Sequence, residues 1–230
     1  MRIVKPLVVV EDDIDGVQMA RKIEYFTRKC YQSEGKMTDT SYEEFVRRIF
    51  NTRKHEGIIE HRSVSVTFIT DRGVSHEFVR HRIASYLQES TRYCDYSGKG
   101  VTFILPPWIH AGDMMEFLNG LQFVDNQYKW WTKDLDWAPQ QARGWLPNFL
   151  KTEFTATMNL RSWYNFFKLR TPANAHPQIR QLAIPLLRYF QTKLPMIFDS
   201  IPVPLFEYSE AKLIEHFGVE PFELDIVYEG

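Results

Sequence analysis

Three arginines, a histidine, two serines and two tyrosines fall within "RHRIASYLQESTRY", Arg80 to Tyr93, with Gln88 and Glu89 between them. A guanidinium presents a planar fork of N–H donors that matches a phosphate in a bidentate way, and serine hydroxyls add further donors. Arg80, Arg82, Ser90 and Arg92 are thus a candidate phosphate cradle. On composition alone the run reads first as a solvated basic face, a helix followed by a turn, because the glycines of a phosphate loop are missing.

Other residues with chemical capacity lie outside this run. Arg170 ends "WYNFFKLR", where it shares a helical stripe with Trp163, Phe166 and Phe167; it is either a cation complementing a helix C-terminus or a site residue. Arg143, in "QQARGWLP", reads as a surface residue, and Asn159 and Arg161 as the polar face of a strand. "HEGIIEH" groups His55, Glu56, Glu60 and His61, but the histidines are six apart with Gly57 between them, whereas zinc-protease ligands sit at i and i+4 on a helix. No metal is expected. Cys94 has no neighbouring histidine to activate it and reads as a small buried hydrophobe; "YKWW" reads as core.

The frame that must position these residues is a chain of 230 residues, 44% hydrophobic and 15% aromatic, which suits a single α+β domain over residues 1–230. Lys+Arg 28 against Asp+Glu 29 leaves a net charge of -1, which argues against a general nucleic-acid binder. Two cysteines form no disulfide framework, and "LVVV" runs at once into "EDDID", so a soluble, cytoplasmic protein without a membrane span is expected.

Apolar spacing predicts a first strand in "RIVKPLVVVED", helices in "GVQMARKIEYFTRKC" and "SYEEFVRRIF", and a strand with one wet face in "SVSVTFIT". A short helix "VSHEFVRHR", a strand "VTFILPPW", a long helix starting at "AGDMMEF" and a short one in "APQQARGWLP" follow. "FTATMNLR" alternates as a strand, and Ser162 is expected to cap the helix after it. "IRQLAIPLLRYFQTKL" is helical with a kink expected at Pro185, and residues 202–230 are set apart as a peripheral tail.

Read together, the segments resemble the flavin-dependent thymidylate synthase family. The signature runs Arg-His-Arg, two residues, Ser, then Ser-x-Arg-Tyr, and it is supported in order by "RKCYQSEGK", "HEGIIEHRSVSVTF", "HEFVRHR", "ARGWLP", "MNLRSWYNFFKLR" and "AHPQIR". The resemblance spans about Arg21 to about Leu187. It departs at Leu87, where Asn or Ser is usual, at Gly57, where Ser or Thr is usual, and in the longer "RTPANAH" spacing.

The resemblance implies a central, mainly antiparallel sheet flanked by helices. It also implies conversion of dUMP to dTMP with methylenetetrahydrofolate as one-carbon donor and NADPH reducing bound FAD, without a cysteine nucleophile. By the match, Gly57, Arg80, His81, Arg82, Gln88, Asn159, Arg161 and Asn165 would hold FAD. Glu77, Arg80, Gln88, Glu89, Ser90, Thr91, Arg92, Arg143 and Arg170 would bind dUMP, with Arg170 the catalytic residue polarising the uracil. A homotetramer with active sites at subunit junctions is implied as well. The absence of a strand followed by GxGxxG accords with FAD bound outside a dinucleotide fold. The alternatives are a catalytically weak relative that only binds FAD or dUMP, and an arginine-rich nucleic-acid-binding module.

Overall fold

Pro6 lacks the N–H that a strand ladder needs, and the opening apolar run divides around it into β1 (Arg2–Val4) and β2 (Leu7–Val10), which enter different sheets. A single strand is the expectation from sequence; the proline makes two. The computed structural model describes residues 1–218 and 221–230. Asp15 caps α1 (Gly16–Cys30), and α2 (Ser41–Arg47) widens into a π turn over Arg48–Thr52. A 3-10 turn, Glu56–His61, leads into β3 (Ser63–Asp71), whose last residue caps α3 (Arg72–Phe78). Then come β4 (Ala84–Gln88), β5 (Thr102–Ile104), α4 (Met114–Lys129), α5 (Pro139–Ala142), β6 (Lys151–Asn159) and α6 (Leu160–Arg170). The chain ends with α7 (Pro177–Lys193), unbroken through Pro185, α8 (Pro195–Phe198), β7 (Lys212–Glu215) and β8 (Ile226–Glu229).

The central sheet has the order β4-β6-β3-β2-β7 and is antiparallel except where β7 joins β2. In β6 the alternation is complete: Thr152, Phe154, Ala156 and Met158 are buried while the residues between them are not. β3 is covered more fully than a one-sided strand, because Thr67 and Thr70 are also buried; the Oγ1 atoms of Thr67 and Thr155 lie 2.7 Å apart across the ladder. On one face, Phe68, Phe78, Phe154, Trp163 and Phe166 pack with ring centroids 4.5–6.3 Å apart. Each such ring contributes about 1.5–3 kcal/mol by burial.

A second sheet, ordered β5-β1-β8, has its own core of Ile3, Phe103, Leu121, Tyr128 and Leu150. The segment after Pro202 thus supplies an edge strand to each sheet. Gly16 is required where α1 meets the end of α7: a Cβ there would lie 1.7 Å from the Lys193 carbonyl oxygen. Among the described residues no helix is long and apolar enough to cross a membrane.

Candidate functional site

The helix of Arg170 begins two residues before the serine expected to cap it. Asn159 has extended backbone angles, and its Oδ1 accepts from the Ser162 N–H at 2.8 Å, so Asn159 is the cap. Leu160 is buried and belongs to the helix, which puts Arg161 on α6 and not on a strand. Trp163, Phe166 and Phe167 are wholly buried, and the same stripe delivers Arg170 to the margin of the core.

There the guanidinium bridges α3 and the turn after it. Arg170 Nε donates to His81 Nε2 at 2.9 Å, and Nη1 donates to Glu77 Oε2 at 2.8 Å. His81 is itself packed edge-on against Phe166, with centroids 5.1 Å apart. Burial first, and the Arg170 charge second, lower the imidazole pKa to about 4. His81 is consequently neutral at pH 7, with Nε2 the acceptor and the proton on Nδ1. Two of the five guanidinium donors are thus used, and the three others, one on Nη1 and two on Nη2, remain for a ligand.

α3 stops at Phe78, earlier than the sequence suggests, so Arg80, His81 and Arg82 occupy a turn. Arg80 and Arg82 are exposed and, among the described residues, have no carboxylate partner. Ile83 closes the turn with φ 66°, a left-handed conformation that a β-branched residue rarely adopts and that costs about 1–3 kcal/mol. Two hydroxyls hold the backbone around it. Tyr86 Oη lies 2.8 Å from the carbonyl oxygens of both Phe78 and His81, and Ser162 Oγ donates to the Ile83 carbonyl at 3.1 Å. Burial pushes the Tyr86 phenol up to about 12, so it remains a donor.

His81, Arg82, Asn159, Arg161 and Asn165, together with Lys168, line one groove of about 360 Å³. Arg161 is held there by ion pairs to Glu56 and Glu60. The matched flavin set is not all in this groove. Gly57 lines a neighbouring depression with Phe26, His55 and His61, and Gln88 is turned toward the sheet, its Nε2 donating to Ser75 Oγ at 2.9 Å and to Thr152 Oγ1 at 3.0 Å.

The nucleotide set falls into a second group. Glu89 accepts from Tyr96 Oη at 2.6 Å and pairs with Lys151 Nζ at 2.8 Å. Ser90 Oγ accepts from the Arg92 N–H at 3.3 Å, and Thr91 is buried. Arg92 Nε donates to Gln140 at 2.9 Å, on the helix that runs directly into the Arg143–Trp145 turn. Arg143 is exposed and, among the described residues, has no acidic partner. Leu87 is 81% exposed on the outer edge of the sheet. Beyond it, Trp130 is also exposed, so "YKWW" is core only at Tyr128 and in part at Trp131. Among the described residues no three metal-binding side chains converge.

Sequence reading missed Tyr86, Tyr96 and Lys151. Tyr86 lies on β4, in a run that the sequence reads as a helix followed by a turn, and so carried no strand signal of its own; Lys151 is 62 residues from the carboxylate it neutralises.

Comparison with known proteins bears on the same elements. The family model described as "Thymidylate synthase complementing protein" matches residues 14–196, from the approach to α1 into α8. A flavin-dependent thymidylate synthase of Geobacter sulfurreducens is 34% identical over 74% of this chain and 77% of its own length. One from Mycolicibacterium gilvum is 32% identical over 84% of each chain. Among solved structures, the Helicobacter pylori flavin-dependent thymidylate synthase ThyX, complexed with FAD and dUMP, superimposes with a TM-score of 0.68 at 23% identity, covering 84% of this chain and 98% of that one. The UMP/dUMP methylase PolB of Streptomyces cacaoi gives 0.71 at 18% identity, covering 87% and 96%. At those identities the structures speak to the fold, and it is the same mixed architecture. With the signature arginines present in order and a family match over most of its length, the chain belongs to the flavin-dependent thymidylate synthases.

Proposed function

We propose that this enzyme reductively methylates dUMP to dTMP, using methylenetetrahydrofolate as one-carbon donor and NADPH as reductant of its FAD. The observation that carries the reading is the Arg170 guanidinium, braced by neutral His81 and by Glu77 and left with free donors at the margin of an aromatic core. The uracil ring must gain electron density at C5 before it can attack a one-carbon unit. A fixed cation beside N3 and the ring carbonyls favours the ionised ring. Arg170 is suited to that role, and Cys94 is not required.

The groove fits a flavin nucleotide by its donor chemistry. Arg82 and Lys168 are exposed cations without a carboxylate partner among the described residues, Asn165 adds an amide, and Ile83 and Tyr164 supply apolar surface. FAD, when bound, supplies the hydride. The protein's share is to bind, orient and polarise. Arg80, Ser90, Arg92 and Arg143 are read as the phosphate contacts of dUMP.

The single-chain site is divided: the Arg170 hub, the Gly57 depression and the Arg92–Arg143 group are distinct, and Ile83, Leu87 and Tyr93 stand exposed beside them. This supports a homotetramer in which neighbouring copies complete one another's sites. Cys30 and Cys94 are unbridged, in keeping with a reducing, cytoplasmic setting.

The test is the visible spectrum of protein supplemented with FAD, followed by tritium release from [5-³H]dUMP with NADPH and the folate. Flavin bands and tritium release are expected. Protein that stays colourless, or releases no tritium, overturns the reading. A monomer mass by light scattering of the flavin-loaded protein overturns the shared site.

A further inference from the structure

We propose that Tyr86 is a positioning residue of the flavin groove: its hydroxyl ties the end of α3 to the His81 turn and so keeps Ile83 in the left-handed conformation that aims His81 and Arg82. The inference rests on the flavin reading of that groove.

Ile83 gains nothing from packing that would hold it in this conformation, since its side chain is 79% exposed. The constraint must come from the backbone on either side. Upstream, Tyr86 Oη is equidistant, at 2.8 Å, from the carbonyls of Phe78 and His81, so a single O–H proton serves both the last turn of α3 and the residue that accepts from Arg170. Downstream, Ser162 Oγ holds the Ile83 carbonyl itself at 3.1 Å. Tyr86 is anchored in turn, because β4 pairs with β6 through Tyr86 and Ala156, and its ring packs on the main core. A residue strained at an exposed position persists only when its surroundings over-determine it. Here the determinants are two hydroxyls, and what they fix is the orientation of two groove-lining side chains.

A strained turn held by a hydrogen bond makes a prediction that ordinary packing does not. Tyr86→Phe keeps the ring and removes the tie; FAD affinity, measured by titration of flavin-free protein, should fall about tenfold, the factor that one net hydrogen bond carries. Glycine adopts positive φ without a Cβ penalty. Adding Ile83→Gly to Tyr86→Phe should therefore restore most of the affinity. In flavin-free protein, amide hydrogen exchange over residues 82–84 should rise in Tyr86→Phe while the thermal midpoint shows the fold intact.

Unchanged FAD affinity and exchange in a folded Tyr86→Phe protein overturn the proposal. So does a double variant that is no better than Tyr86→Phe alone, since Tyr86 would then act by general packing. Should Tyr86→Phe fail to fold, Ser162→Ala with and without Ile83→Gly puts the same question to the other tie, and lack of rescue there is equally adverse. Wild-type protein that takes up no FAD overturns the flavin reading instead, and the exchange measurement still decides whether Tyr86 holds the turn.

Discussion

Arg170 and His81 share a hydrogen bond in which the arginine is donor and the imidazole Nε2 is acceptor, 2.9 Å apart. A proton on that nitrogen would destroy the bond and set two cations against each other.

Stability should accordingly depend on pH through His81. Its folded pKa, about 4, lies below the unfolded value of 6.5, so between those values the unfolded chain binds the extra proton. The contribution is full above pH 6.5 and is lost as pH falls toward 4. Urea unfolding from pH 7.5 to 4.5 should show a decline with a ceiling of roughly 3 kcal/mol from this group. His81→Gln should flatten that decline; an equally steep profile in the variant would mean another group is responsible.

Arg170→Ala should lower kcat by about 10²–10³, the cost of removing one preorganised donor from a developing charge. FAD binding should survive in large part, because the guanidinium is assigned to the pyrimidine. Loss of flavin with dUMP affinity intact would invert the assignment.

Arg92→Ala and Arg143→Ala should act on KM instead. Each removes a charge-assisted contact to phosphate, and the KM for dUMP should rise about tenfold or more with a smaller change in kcat. Steady-state kinetics at two salt concentrations would check this, since a phosphate contact weakens as salt rises. Wild-type KM in Arg92→Ala would remove it from the phosphate site.

Gly16→Ala should destabilise the fold without touching the site. The new methyl would overlap the Lys193 carbonyl, forcing α1 away from α7 at a cost of about 1–3 kcal/mol. A thermal midpoint lower by several degrees is expected for that cost.

In the central sheet β3 and β6 were legible because they carry period-two patterns, whereas β4 lies in the run read as a helix followed by a turn and β7 in the segment set apart as a tail. In β6 that pattern predicts the buried residues one by one. The second sheet was not, for a physical reason: β8 is exposed along its whole length and has no apolar periodicity, and its partner β1 reads as one strand with β2 until Pro6 is taken as a break. At the site, the arginines were legible by type and order. The match also named Glu77 and His81, but their pairing with Arg170 was not legible, because Glu77 and Arg170 are 93 residues apart and a side chain that accepts one hydrogen bond leaves no spacing signature. The cap of α6 was misread for a local reason: Asn159 and Ser162 are both good caps, and the burial of Leu160 decides between them.

Lys5 and Pro6 join strands of two different sheets. In the proposed complex the uracil end of the nucleotide is gripped from the core of the large sheet, through Arg170. The phosphate end is assigned in part to Arg92 and Arg143, beside the small one, where Arg92 is held by Gln140 and Tyr96 of that second core is bonded to Glu89. Within one chain the spacing of these two groups follows from how the sheets meet, and Lys5–Pro6, stiffened by the fixed φ of proline, is one covalent link between them.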